Sequence, residues 1–214
     1  MVSVTPGEVR RRRAVCVVTM LIGAGVLAVS LRIEPGDGLF YPATFALAAV
    51  WVVGALASGP LHLGRVARGD RRRRPVLGPI GLGLGLAAVF VGGALIVREV
   101  PLLGDQVRSV LSFAQEGPWP LLLAITLVNG VAEEMFFRGA VYEAAPRYPI
   151  AVAAVANVAV VAASGNLMLT FAAALLAVVV GLQRRATGGL LAPVLTHVTW
   201  SSVMLFALPA LFGG

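Results

Sequence analysis

Apolar residues run along this chain in long blocks separated by short polar clusters. Each block approaches the roughly 20 residues that a helix needs to cross a bilayer core. The first covers residues 14–31 and follows Arg10, Arg11, Arg12 and Arg13. The second covers 40–58 and ends at a polar stretch holding Arg65, Arg68, Asp70 and Arg71 to Arg74. The third, 76–97, carries Gly78, Gly81, Gly83 and Gly85, small residues that let helices approach closely in lipid. A mixed segment, 98–118, contains Glu99, Asp105, Arg108 and Glu116, and its part 107–113 predicts a short interfacial helix. Four more blocks follow: 119–142, a short Ala/Val-rich 150–163, 167–182 and 190–212. Ser164, Gly165 and Asn166 separate the second and third of these.

The pattern predicts an all-α fold, a polytopic transmembrane helix bundle of about seven spans, with six or eight as alternatives. In domain terms it divides into a basic tail at 1–13, three helices in 14–97, an extracytoplasmic connection at 98–118 and a core at 119–214. Composition narrows the choice. Of the 214 residues, 58% are apolar and only 13% charged, and mean hydropathy is +0.90. A soluble domain of this size cannot hide that much apolar surface, and a disordered chain would be far more polar.

Charge then orients the spans. The net charge is +7 and all 17 cations are arginine. They gather between apolar blocks, where topology calls for them, which argues for orientation and against a nucleic-acid partner. Residues 1–13, the 65–74 loop, the surroundings of Arg147 and the Arg184–Arg185 pair alternate along the chain as cytoplasmic segments would. Residues 32–38 and 98–118 each hold more acids than arginines and fit the outside. The expected location is a cell membrane, multi-pass, with the N-terminus cytoplasmic and lipid as neighbour. Residues 10–30 also have the outline of a signal peptide, but the apolar run is long for one. A single cysteine, Cys16, forms no disulfide framework.

Ionisable residues inside a span are costly and mark function by default. The fourth block holds Glu133, Glu134 and Arg138. Glu134 and Arg138 are spaced to pair on one helical face, while Glu133 is turned about 100° away and left free. One carboxylate that orients and one that acts as general base is the division a hydrolytic site needs. The competing reading is a solvated Glu–Arg pair at a helix end. Counting from Trp119, Glu133 lies about 21 Å into the membrane. His197, counted from the other side, lies about 10 Å from the cytoplasmic face, so the two meet at similar depth. Ser201 shares the face of His197.

The Glu-Glu-x-x-x-Arg segment, followed by Pro193-Val194-Leu195-Thr196-His197, resembles the CPBP intramembrane protease family. That family includes the type II CAAX prenyl endopeptidases and bacteriocin-immunity proteins. The stretch from Arg185 to Pro193 is similar to the approach to the family's last motif, and the resemblance covers residues 119–214. It implies that Glu133 activates the attacking water, that Glu134 and Arg138 hold the site, and that His197 stabilises the oxyanion. The family's last motif has Asn four residues after its His, where this chain has Ser201. Its middle motif has a His. By position Asn166 stands nearest to it, either through a re-entrant fifth span or outside the site altogether.

Zinc is a cofactor that the resemblance allows. A catalytic zinc takes three protein ligands, for which Glu133, Glu134 and His197 are candidates, with His62 joining only if its loop folds inward. Arg138 already claims Glu134, so a metal-free hydrolysis driven by Glu133 fits the inventory better. The expected substrate is a peptide or membrane-anchored protein. Two other readings stand beside the endopeptidase: a degenerate member acting as a membrane partner or immunity protein, and a proton-relaying transporter, for which the chain shows no internal repeat.

Overall fold

The computed structural model of the chain describes residues 6–64, 66–68 and 71–213. Arg65 and Asp70 of the basic loop lie outside them. Among the described residues six helices are long and apolar enough to cross a membrane, and a shorter apolar one accompanies them.

The first long helix, α1, runs Pro6–Ser30, so Arg10 to Arg13 lie on its opening turns. Helix α2 is Phe40–Ser58. A small antiparallel hairpin follows, β1 Val66–Arg68 and β2 Arg71–Arg73. Apolar periodicity gives no sign of it, because every strand residue but Val66 and Ala67 is arginine. Helix α3 is Leu77–Val97. The mixed segment forms α4, Pro101–Gln115, longer than the short interfacial helix expected there. Proline at its first position suits a helix start, where the backbone N–H has no partner in any case.

Helix α5, Trp119–Glu133, passes directly into a π-helical segment, Glu134–Val141, and then into the short α6, Tyr142–Ala144. The three together form one apolar rod of 26 residues. Helix α7, Pro149–Ala162, has 14 residues, about 21 Å of helix and less than a bilayer core. It is the fifth block, and it is short as expected. Helices α8, Leu167–Thr187, and α9, Leu191–Phe212, complete the bundle. Gly188, at φ 67°, ends α8 in the left-handed conformation that favours glycine.

The core sits where α2 meets the π segment. Trp51 is fully buried and lies against Phe136 and Phe137, with ring centroids 5.0 and 5.2 Å away. Pairs at that separation add attraction beyond their area. On the far side, α9 packs on α3. Thr196 Oγ1 donates to the Pro79 carbonyl at 2.8 Å, and a side chain on Gly83 would strike the Thr196 carbonyl and Thr199. Of the four glycines in α3 considered above, this one is where a helix comes close; no neighbour lies near Gly78, Gly81 or Gly85.

One further tie fixes the start of α9. Leu190 N–H donates to the His62 carbonyl at 2.8 Å and Leu191 N–H to the Leu63 carbonyl at 3.1 Å. These bonds satisfy donors that a helix N-terminus leaves open. Gly64 and Gly189 make the approach feasible. A Cβ on Gly189 would fall 1.9 Å from the Gly64 nitrogen. The His62 side chain is exposed, and the segment contributes its backbone here.

Candidate functional site

The π segment opens a wider helical turn than the α-helix that the spacing of its residues predicts, and it carries both a carboxylate and its cation. Such segments are energetically poor alone and cluster at functional sites. Packing holds this one. Phe136 and Phe137 are sealed against Trp51, and Arg184 from α8 donates through Nε to the Arg138 carbonyl at 2.9 Å.

Glu134 and Arg138 pair across this wide turn. The Arg138 Nη1 lies 3.3 Å from Glu134 Oε1, with the carboxyl fully buried and the guanidinium 1% exposed. The same oxygen meets His197 Nδ1 at 2.8 Å. An ion-paired carboxylate only accepts, so Nδ1 of His197 is the donor and carries the hydrogen. That leaves Nε2 as the free ring nitrogen. The imidazole lies beside Gly130 of α5, where a Cβ would sit 3.6 Å from its Cδ2. Trp200, one turn along α9, packs at 6.3 Å from it. Ser201 Oγ donates to the His197 carbonyl at 2.9 Å, so its hydroxyl serves its own helix.

Glu133 occupies the last position of α5, partly exposed. No hydrogen bond or ion pair joins it to any described residue. Its ionisable neighbours are His197, Glu134 and Arg138. The expected division into one bound and one free carboxylate is therefore present. Asn129, one turn earlier, is turned to its own surroundings: its Nδ2 donates to the carbonyls of Ile125 and Thr44.

The sequence reading missed Asn157. This buried residue of α7 accepts from Arg138 Nη1 at 3.2 Å through its Oδ1. It stands in a run of alanine and valine, where a buried amide needs a reason. That cost was the available signal. Asn166 lies elsewhere. It caps α8, its Oδ1 accepting from Leu169 N–H at 2.8 Å, while its Nδ2 donates to the Gln106 carbonyl of α4 at 2.7 Å. Helix α7 stops at Ala162, and Asn166 beyond it links α8 to α4. The amide that reaches the Glu134–Arg138 pair is Asn157.

The cluster is not fully bonded. Glu134 Oε2 and the Nε and Nη2 of Arg138 are buried without a hydrogen-bond partner. Native interiors rarely tolerate such atoms, and where they do the usual reason is function. As a metal site the arrangement is poor. Among the described residues no three His, Cys, Asp or Glu side chains gather as ligands, and a guanidinium faces the carboxylate that would be the central donor.

No curated protein and no solved structure matches the chain. Residues 115–203 match the model of a family described as Type II CAAX prenyl endopeptidase Rce1-like. That stretch holds Glu133, Glu134, Arg138, Asn157, Asn166, His197 and Ser201. The resemblance read from the Glu-Glu-x-x-x-Arg and His197 segments is thus borne out by this match over residues 115–203.

Proposed function

We propose that the protein is an endopeptidase that hydrolyses a peptide bond within the membrane, near its cytoplasmic side, with Glu133 as general base. The observation that carries this reading is the unequal use of the two adjacent carboxylates. Glu134 is occupied by His197 and Arg138 through one oxygen, whereas Glu133 has no partner beside the same imidazole.

The chemistry then divides among named groups. Glu133 takes a proton from water as the oxygen adds to the scissile carbonyl carbon. His197, held by Glu134 through Nδ1, acts as the imidazolium and donates from Nε2 to the oxygen that becomes negative. A donor so placed is worth roughly 10²–10³ in rate. When the tetrahedral intermediate collapses, the leaving amine takes the proton from Glu133. Asn157 and Arg138 do not touch the reacting atoms in this scheme; they keep Glu134, and through it the ring, in place. No step needs a metal. The substrate is a peptide or a membrane-anchored protein.

Cleavage of membrane-anchored peptides by purified protein, in parallel with a measure of folded protein, tests the assignment. Glu133→Gln keeps size and hydrogen bonding but cannot accept the proton, so turnover falls by about 10²-fold or more while the fold survives. Wild-type cleavage by folded Glu133→Gln protein refutes the role. Absence of cleavage by the wild type over a broad panel of prenylated and unprenylated peptides favours a non-catalytic membrane partner.

A further inference from the structure

A second feature lies at the basic end of the bundle, between the start of α1 and the turn from α6 to α7. It is a cavity of about 570 Å³ with Val17, Met20, Val141 and Val152 on its walls and Arg13 and Arg147 at its rim. None of its lining residues belongs to the Glu134–His197 cluster, and none is acidic. The size falls within the usual range for small-molecule sites.

Its charge is built in. Arg13 donates through Nε to the Ala144 carbonyl at 3.1 Å, which fixes an exposed guanidinium across the mouth from α1 to α6. Arg147 is also exposed. The apolar walls open sideways, since Val17 and Val152 are 50% and 43% exposed. Tyr148 projects beside the mouth, 80% exposed, as aromatic residues do at headgroup level. Two cations at the rim with no lining carboxylate call for an anion. Valine walls open to the bilayer call for a hydrocarbon chain attached to it.

We propose that this cavity binds one anionic glycerophospholipid, with its phosphate between Arg13 and Arg147 and the first part of an acyl chain along Val17, Met20 and Val152. Val141 ends the π segment and Ala144 ends the rod that contains it. A bound lipid therefore clamps α1 against the helix that carries Glu134.

Native mass spectrometry of the full chain, released from detergent micelles containing dioleoyl phosphatidylglycerol or dioleoyl phosphatidylcholine, tests the site. One phosphatidylglycerol is retained with at least a tenfold preference, about one decade in Kd. The double variant Arg13→Gln/Arg147→Gln loses that preference, and Arg10→Gln/Arg11→Gln, with the same change in net charge, keeps it. Val17→Trp/Val152→Trp fills the chain slot without altering charge and also lowers occupancy, which decides the matter if the arginine variant does not fold. Equal retention of phosphatidylcholine, or an unchanged preference in the Arg13/Arg147 variant, overturns the proposal. So does displacement of the lipid by millimolar inorganic phosphate, which marks a plain anion site.

Discussion

Arg184 spans two turns of the site helix at once: its Nε donates to the Arg138 carbonyl at 2.9 Å and its Nη2 meets Glu143 at 2.6 Å. Its guanidinium also lies 4.8 Å from the centre of the Tyr142 ring. A residue of α8 thereby holds the lower end of the π segment from outside. Arg184→Met keeps much of the stem but removes the hydrogen bond to the Arg138 carbonyl and the partner of Glu143, an expected loss of about 2 kcal/mol. Arg184→Lys recovers part of it through Glu143 alone, because an ammonium lacks the planar fork. Unfolding titration in mixed micelles measures both; equal stability of Arg184→Met and wild type overturns the bracing role.

Asn157 and Asn166 separate two kinds of asparagine. Asn157→Ala removes the acceptor from Arg138 Nη1 and costs about 1–3 kcal/mol through a further unbonded nitrogen. Asn166→Ala removes a helix cap, worth about 1 kcal/mol. Cleavage per folded molecule drops in the first variant and holds in the second. The reverse order would return Asn166 to the site.

Trp51→Ala empties the space against Phe136 and Phe137. The expected cost is about 3–5 kcal/mol, as for other large aromatic truncations. Trp51→Phe retains one ring and loses less. Thermal denaturation followed by tryptophan-independent light scattering ranks the three proteins, and a Trp51→Ala midpoint equal to wild type contradicts the packing.

Orientation is open to direct labelling. Cys16 is the sole cysteine, so Cys16→Ser gives a background for single engineered thiols. A cysteine replacing Arg71 should react with a membrane-impermeant maleimide only after the cells are opened, and one replacing Asp105 should react in intact cells. Labelling in the opposite order inverts the topology.

The bundle was legible because its helices differ from their surroundings in the plainest property, the length of an apolar run. Phe40–Ser58 coincides with its block, and the other spans start within a few residues of theirs, apart from α1. That helix starts at Pro6 because nothing in Gly7 to Arg13 stops it; arginine is a good helix former. The Glu134–Arg138 pair was legible from spacing, since i and i+4 remain neighbours even when the turn widens. The link from His197 to Glu134, as opposed to Glu133, was not. Depth counting gives height along the membrane but not the angle around a helix, and the π segment alters that angle. Asn157 stayed hidden for another reason: among alanines and valines its amide names no partner until α7 is laid against the π segment.

That segment has one more consequence. A π turn uses one residue more than the α turns that would cover the same rise, so it works as a phase shifter between two registers. Above it, Gly130 and Glu133 keep step with α9 and His197. Below it, Glu143 and Ala144 keep step with Arg184 and Arg13. Forcing the same residues into an unbroken α-helix would turn everything beyond Val141 by about 100°. Glu143 would leave Arg184 and Ala144 would leave Arg13, although no contacting side chain of either pair had changed. The surplus residue is what allows one straight rod to serve two sets of neighbours that an unbroken α-helix would put out of step.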